Sequence, residues 1–336
     1  MRSFYDMTPH DRLEHITALA GRALPLYGLE GRADIRLLNH SENTTFLVKT
    51  PDGGASVLRI NRPGYHAEPT LEAEITWLKA LIADGTVGTA APLAGTDGHY
   101  IQRIPLDGYR EDLNCALFEF LKGSAPEENE STLVGEFEKL GAVTARLHNQ
   151  VKRWPESRKL DRPHWDFAHT LGETPRWGRV SGGLGMTREL DALFERVARV
   201  IGRRLAAYGM GPERYGLIHA DLRLANLLVD EGEVKVIDFD DCGYGWFMYD
   251  LAAALSFIEH EPYVPDLVAA WLRGYGRVAP LSGADVAEVP TFIMLRRLML
   301  VAWLGSHHET ETAGLLGPAY TEATAPLAEA YLSDHN

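Results

Sequence analysis

The stretch HADLRLANLLVDEGEVKVIDFDD, residues 219 to 241, constrains this chain more than any other. Its apolar runs LLV and VKVI read as the paired strands of one short hairpin. Asp221 lies in the loop before the hairpin, Asn226 where the first strand starts, and Asp238 just after the second strand. A hairpin folds its exit back toward its entry, so three oxygen donors far apart in sequence converge. Magnesium takes hard oxygen ligands and usually bridges one or two side chains to substrate phosphates. Phosphoryl transfer needs that metal, a carboxylate to accept a hydroxyl proton, and positive charge on the transferring group. Asn226 and Asp238 can face one metal while Asp221 faces the acceptor.

The remainder of the chain has room for a scaffold around this hairpin. Its 336 residues exceed one small core and fit two domains, divided near 121/122 into 1–121 and 122–336. Thr8-Pro9 starts a leading helix over 8–27. TTFLVKT and ASVLRI, joined by PDGG, read as a strand pair. PTLEAEITWLKALIADG places Leu71, Ile75, Leu78 and Leu81 or Ile82 on one helical face, and two further strands follow in HYIQRI and ALFEFL. Residues 31–121 thus form a small antiparallel sheet with one helix. After a polar linker, KGSAPEENES, the chain turns helical; STLVGEFEKLGAVTARLHN carries a Ser or Thr cap and a stripe from Leu133 to Leu147. The fold class is α+β, with a small antiparallel-sheet lobe and a mostly helical lobe.

A net charge of −14 argues against nucleic acid or an anionic membrane as partner. Two cysteines, Cys115 and Cys242, suit a reducing compartment. FIMLRRLMLVAWLG is shorter than a membrane span and is interrupted by Arg296 and Arg297. No signal peptide is visible, and a cytoplasmic protein is expected.

HADLRLAN followed by VIDFDD resembles the signature of the aminoglycoside phosphotransferase and choline kinase superfamily, particularly its homoserine-kinase-like and bacterial stress-kinase-like members. SENTTFLV, VLRINRPGY, LFEFLKG, LHN, VIDFDDCGYGWFMYDLA and LRRLMLVAWLG fall in the order those enzymes use, and together span about residues 30–305. The resemblance implies a bilobal protein-kinase-like fold that binds ATP and Mg2+ and phosphorylates a hydroxyl of a small molecule. Asp221 would be the catalytic base, and Asn226 and Asp238 the metal ligands. Glu119, Phe120 and Leu121 would form the hinge that meets adenine. Ser41, Asn43 and Thr44 would lie over the phosphates, and Glu74, rather than its rival Glu72, would hold the basic residue of the third strand.

The chain departs from related patterns in three places. Arg59 stands where that third strand usually has lysine; it keeps the charge on a larger fork. The phosphate turn lacks G-x-G-x-x-G. Arg223, two residues after Asp221, stands where protein kinases have lysine and could place charge on the transferring phosphoryl. Ala220 precedes the base where protein kinases have arginine, and only twelve positions separate Asp238 from Asp250, which leaves no room for an activation segment. A small alcohol is therefore the expected acceptor. A stress-kinase-type Ser/Thr protein kinase and a non-catalytic nucleotide-binding module are the alternatives.

Simpler roles are expected for the neighbours. His219 fixes the loop by hydrogen bonds, Asp250 accepts backbone N–H bonds of that loop, and Cys242 is buried and inert. Asp240 is either a second metal contact or a solvated charge, and Asp241 lies at the surface. His307, His308 and Glu309 form an exposed turn. Residues 152–180 are locally basic, so Arg162, Arg176 and Arg179 either meet a carboxylate or phosphate on the acceptor or form a solvated face. Trp165 and Trp177 wall the acceptor site or pin the insert.

Overall fold

The computed structural model describes residues 3–29, 31, 33–106, 108–126 and 130–335. The chain divides into two compact units, Met1–Gly123 and Ser124–Asn336.

In the first unit, Thr8 caps helix α1 (Pro9–Ala23) by accepting the N–H of Asp11 at 3.2 Å, and Pro9 occupies the first turn, where its missing donor costs nothing. Strands β1 (Asp34–His40), β2 (Thr44–Lys49) and β3 (Ala55–Ile60) form an antiparallel meander. Helix α2 (Glu68–Asp84) follows, then β4 (Ile101–Ile104) and β5 (Leu113–Glu119). The sheet order is β1-β2-β3-β5, with β4 and the two-residue strand Pro92–Leu93 also pairing with β5. β1 is the strand that the sequence reading lacks. It lies at the sheet edge with nearly every side chain exposed, so it shows no apolar alternation. On α2, Leu81 faces the core and Ile82 is exposed, which settles that alternative.

The second unit is built on α3 (Glu130–Arg153), α4 (Arg188–Tyr208), α5 (Tyr249–Ala254), α6 (Val264–Gly276), α7 (Val289–Ser306) and α8 (Glu311–His335), the last interrupted at Gly317. Two small antiparallel strand pairs are set among them. One pairs β6 (Tyr215–Ile218) with β9 (Gly243–Trp246); the other pairs β7 (Leu227–Asp230) with β8 (Glu233–Val236). α3 starts at Glu130, which places residues 131 and 132 within its first turn. Part of the expected linker, residues 127–129, lies outside the described residues. α3 and α6 approach so closely that a Cβ on Gly274 would stand 1.8 Å from the Glu138 carbonyl oxygen. Only glycine allows that backbone contact.

α7 is long and apolar enough to cross a membrane by composition, yet most of it is buried inside the unit. His307, just beyond it, is also buried and stacks on Trp303 at 4.9 Å. Only His308 of that histidine pair keeps the expected exposure. No group of three or more His, Cys, Asp or Glu that could hold a metal occurs among the described residues.

Candidate active site

The second unit assembles its polar centre around the loop between β6 and β7. Ala220 in that loop adopts a left-handed backbone (φ 67°), and so does Asp238 after β8 (φ 62°). Non-glycine residues rarely hold such angles unless their surroundings fix them. The surroundings here are a buried carboxylate and two histidines. Asp250, on α5, accepts the N–H of Ala220 at 2.7 Å and of His219 at 3.2 Å, and His148 Nε2 lies 3.0 Å away. His219 Nδ1 receives the N–H of Asp221 at 3.4 Å, so its Nε2–H donates to the carbonyl of Ile237 at 3.1 Å. That bond ties the Asp221 loop directly to the residue preceding Asp238. His219 and Asp250 therefore hold backbone.

Asp221 itself is partly exposed, and Asn226, Arg223 and Arg296 reach its carboxylate. Asn226 Nδ2 donates to its backbone oxygen at 2.7 Å and to Oδ2 at 3.0 Å. Both bonds use the Asn226 amide nitrogen, so the carboxylate makes no demand on its side-chain oxygen. Arg223 Nε lies 3.3 Å from both carboxylate oxygens. Arg296 Nη2, from α7, donates to Oδ1 at 2.9 Å. The sequence reading does not include Arg296 in the site, because within LRRLMLVAWLG it interrupts an apolar run with no motif around it. Asp238 is exposed. One amide oxygen, one carboxylate and no thiolate or imidazole make a donor set that suits a hard cation bridged to phosphate, not zinc.

Around this centre, several expected roles change. Arg162 is buried: its Nε donates to the carbonyl of Cys242 at 2.6 Å, and its Nη2 is bonded to the carbonyl of Asp240. A guanidinium spent on loop carbonyls is not offered to an acceptor anion. Trp165 is fully buried and donates Nε1–H to the carbonyl of Asp241 at 2.9 Å. Both residues pin the segment that follows Asp238. Arg176 stacks over Trp165 at 5.3 Å, and Arg179 is exposed, so these basic side chains serve separate purposes. Trp177 packs edge-on to Trp165 at 5.1 Å and lies 4.9 Å from the Arg296 guanidinium. Asp240 is buried, which removes its reading as a solvated charge. Asp241 is only half-exposed and helps keep the Arg296 charge in place, so it is no plain surface residue. Cys242 is buried, as expected.

The first unit holds the other residues singled out in sequence. Arg59 on β3 pairs bidentately with Glu74 on α2, at 2.8 and 2.6 Å, and both side chains are buried. Glu72 instead accepts the N–H of Ile101 at 3.4 Å. In the turn between β1 and β2, Asn43 Oδ1 accepts the N–H of Arg62 at 3.0 Å, and Thr44 Oγ1 meets His40 Nδ1 at 2.9 Å. Those two side chains shape the turn, and Ser41 is the exposed one. Glu119 and Phe120 donate their N–H groups to the carbonyls of Ala91 and Ala55, at 2.8 and 3.4 Å, which fixes the path of the 119–121 segment.

This chain belongs to the phosphotransferase enzyme family, whose model matches residues 34–281. A microcompartment-associated aminopropanol kinase of known structure is 40% identical, with a TM-score of 0.87 over 95% of this chain and 98% of that one. The amicoumacin kinase of Bacillus subtilis (strain 168) is 25% identical over 315 residues, or 90% of this chain and 89% of that protein. An amicoumacin kinase solved with AMP-PNP, Ca2+ and Ami shares the fold with a TM-score of 0.76 at 21% identity, over 95% and 93% of the two chains. The fold is protein-kinase-like, and the protein is a phosphotransferase acting on a hydroxyl group.

Proposed function

We propose that this phosphotransferase moves the γ-phosphoryl group of ATP, with Mg2+, onto the hydroxyl of a small amino alcohol. The observation that carries the reading is the environment of Asp221. Its carboxylate is oriented by Asn226, Arg223 and Arg296, and the side-chain oxygens of Asn226 and Asp238 are the hard donors that this reading assigns to the cation. In this reading the first unit serves the nucleotide. The 119–121 backbone meets adenine, the 41–44 turn covers the phosphates, and Arg59, braced by Glu74, pairs with phosphate oxygens. The second unit carries the transfer.

Asp221 accepts the proton of the acceptor hydroxyl as that oxygen bonds to the γ-phosphorus and the bond to the β-bridging oxygen breaks, releasing ADP. Arg223, half-exposed beside the carboxylate, neutralises charge on the phosphoryl in flight. A cation held by Asn226 and Asp238 would supply further neutralisation at the phosphates.

The amino-alcohol class is supported by the likeness to aminopropanol kinase. The commitment of Arg162 and Trp165 to loop carbonyls supports it too, because the basic insert then lacks its clearest anion-recognising group. A protein acceptor is disfavoured by the chain after Asp238, which runs through β9 straight into α5 and carries no activation segment.

An ADP-release screen over amino alcohols, homoserine, sugars, aminoglycosides and a generic protein substrate tests the reading, with Asp221→Asn as control. Turnover confined to amino alcohols, dependent on added Mg2+ and lost in the control, is expected. Undiminished turnover by Asp221→Asn would remove the assigned base.

A further inference from the structure

Arg296 is a buried guanidinium, and burying one costs several kcal/mol unless its donors are met. Here they are. Nε donates to Ser256 Oγ at 2.9 Å, Nη1 to Tyr249 Oη at 3.0 Å and to the carbonyl of Ala220 at 3.3 Å, and Nη2 to Asp221 Oδ1 at 2.9 Å. The rings of Trp177 and Tyr249 lie 4.9 and 5.8 Å from its central carbon. Three parts of the second unit thus hold this α7 charge: the α5 segment with Ser256 just beyond it, the Ala220–Asp221 loop, and the insert that carries Trp177.

The next residue shows how different this arrangement is. Arg297 pairs with Glu259 at 2.9 Å, and both partners are buried away from any surface. That pair is closed and serves the core. The Arg296 pair ends instead on a carboxylate that solvent reaches, and on the carbonyl of Ala220, the loop residue with left-handed backbone.

We infer that Arg296 is a positioning residue for Asp221: it fixes the plane of the carboxylate and the loop behind it, so that the lone pair receiving the acceptor proton is already aimed. This rests on reading Asp221 as the base. Its burial separates it from Arg223, which reaches the same carboxylate from a half-exposed position. Because Arg296 spends its donors on protein acceptors, its loss should act on the chemical step and leave nucleotide binding alone.

Steady-state kinetics of Arg296→Met, Arg296→Lys, Asp221→Asn and the double variant Asp221→Asn/Arg296→Met test this. A misaimed reacting group costs about 100-fold in rate, so kcat should fall by about that factor in Arg296→Met, with the KM for ATP within about twofold of wild type. Lysine keeps the charge without the planar fork and should recover only part of the loss. On top of Asp221→Asn, removing Arg296 should change kcat by less than about threefold, because the two act as one unit. A full second loss in the double variant would overturn the inference by showing a general structural role. Wild-type kcat in both single arginine variants would also overturn it. If Arg296→Met shows no cooperative thermal transition, Arg296→Lys decides by the same kcat and KM criteria. Wild-type turnover in Asp221→Asn would sink the base assignment instead, a result distinguishable from an active Arg296 variant beside a dead Asp221→Asn.

Discussion

Each unit buries a guanidinium against a carboxylate, and the two pairs are built to opposite ends. In the first unit Arg59 and Glu74 share two short bonds, and their side chains are 7% and 1% exposed. In the second, Arg296 gives Asp221 a single bond; the guanidinium is 3% exposed but the carboxylate 18%. The first carboxylate is sealed, so the pair is a brace. The second carboxylate is held from behind and open in front, as a group that must touch substrate has to be. The difference lies less in the pairing than in where the remaining acceptors and solvent are found.

Breaking the open pair at its working end should give the largest effect. Asp221→Asn keeps the shape and removes the basicity, so kcat should fall on the order of 10^3-fold. The loss of stability should be smaller than at the closed pair, because Asp221 is partly solvated and Asp241 still faces the Arg296 charge. Breaking the closed pair should do the reverse and strike stability first. Glu74→Gln leaves Arg59 buried without its counter-charge, which costs about 3–5 kcal/mol and would be read as a lower urea midpoint. Replacing both residues, Arg59→Met with Glu74→Leu, should recover most of that stability, because a buried ion pair is about as stable as an apolar pair of its size. The KM for ATP should stay raised in the double variant. A double variant no more stable than Glu74→Gln would show that the pair is not self-contained. Arg59→Lys is the mildest change here. It keeps the charge and loses the fork, and the KM for ATP should shift by no more than about fivefold.

The contrast also marks what a reader of the sequence could see. Glu74 was separable from Glu72 only through the resemblance, supported modestly by its spacing to Trp77 and Leu78. Hairpin geometry alone, in contrast, returned the chain before Asp238 to Asn226. That is a local rule. Arg296 escaped because its partners, Ala220, Asp221, Tyr249 and Ser256, lie about 40 to 76 residues away in the chain, and no local period encodes such a meeting. The same blindness left two readings open for Trp165, of which pinning is the one found, and gave Arg162 neither of its expected roles. As composition they read as a basic, aromatic insert beside an acceptor; as structure they are donors that satisfy the carbonyls of residues 240–242. Strand β1 was missed for a different reason, since an exposed edge strand has no buried face to imprint a pattern.

Another buried pair, His148 with Asp250, sharpens the comparison, because it holds loop backbone and does so with a titratable ring. Burial is the main influence on His148 and lowers its pKa, against the pull of Asp250 in the other direction; Lys152 adds to the lowering. The imidazole is therefore neutral in the fold, and Tyr275 Oη meets its Nδ1 at 3.1 Å. An unfolded chain binds a proton at this residue near the ordinary histidine pKa of about 6.5, whereas the folded one resists until lower pH. The unfolded state thus binds more protons in that window, and stability falls as pH drops below about 6.5, by at most about 1.4 kcal/mol per pH unit from this one site. Urea unfolding midpoints measured at pH 7 and pH 5.5 should differ more in the wild type than in His148→Gln, which cannot titrate. Equal differences in the two proteins would mean that the loop is held without help from a neutral His148, and that the sealed and open pairs carry its geometry between them.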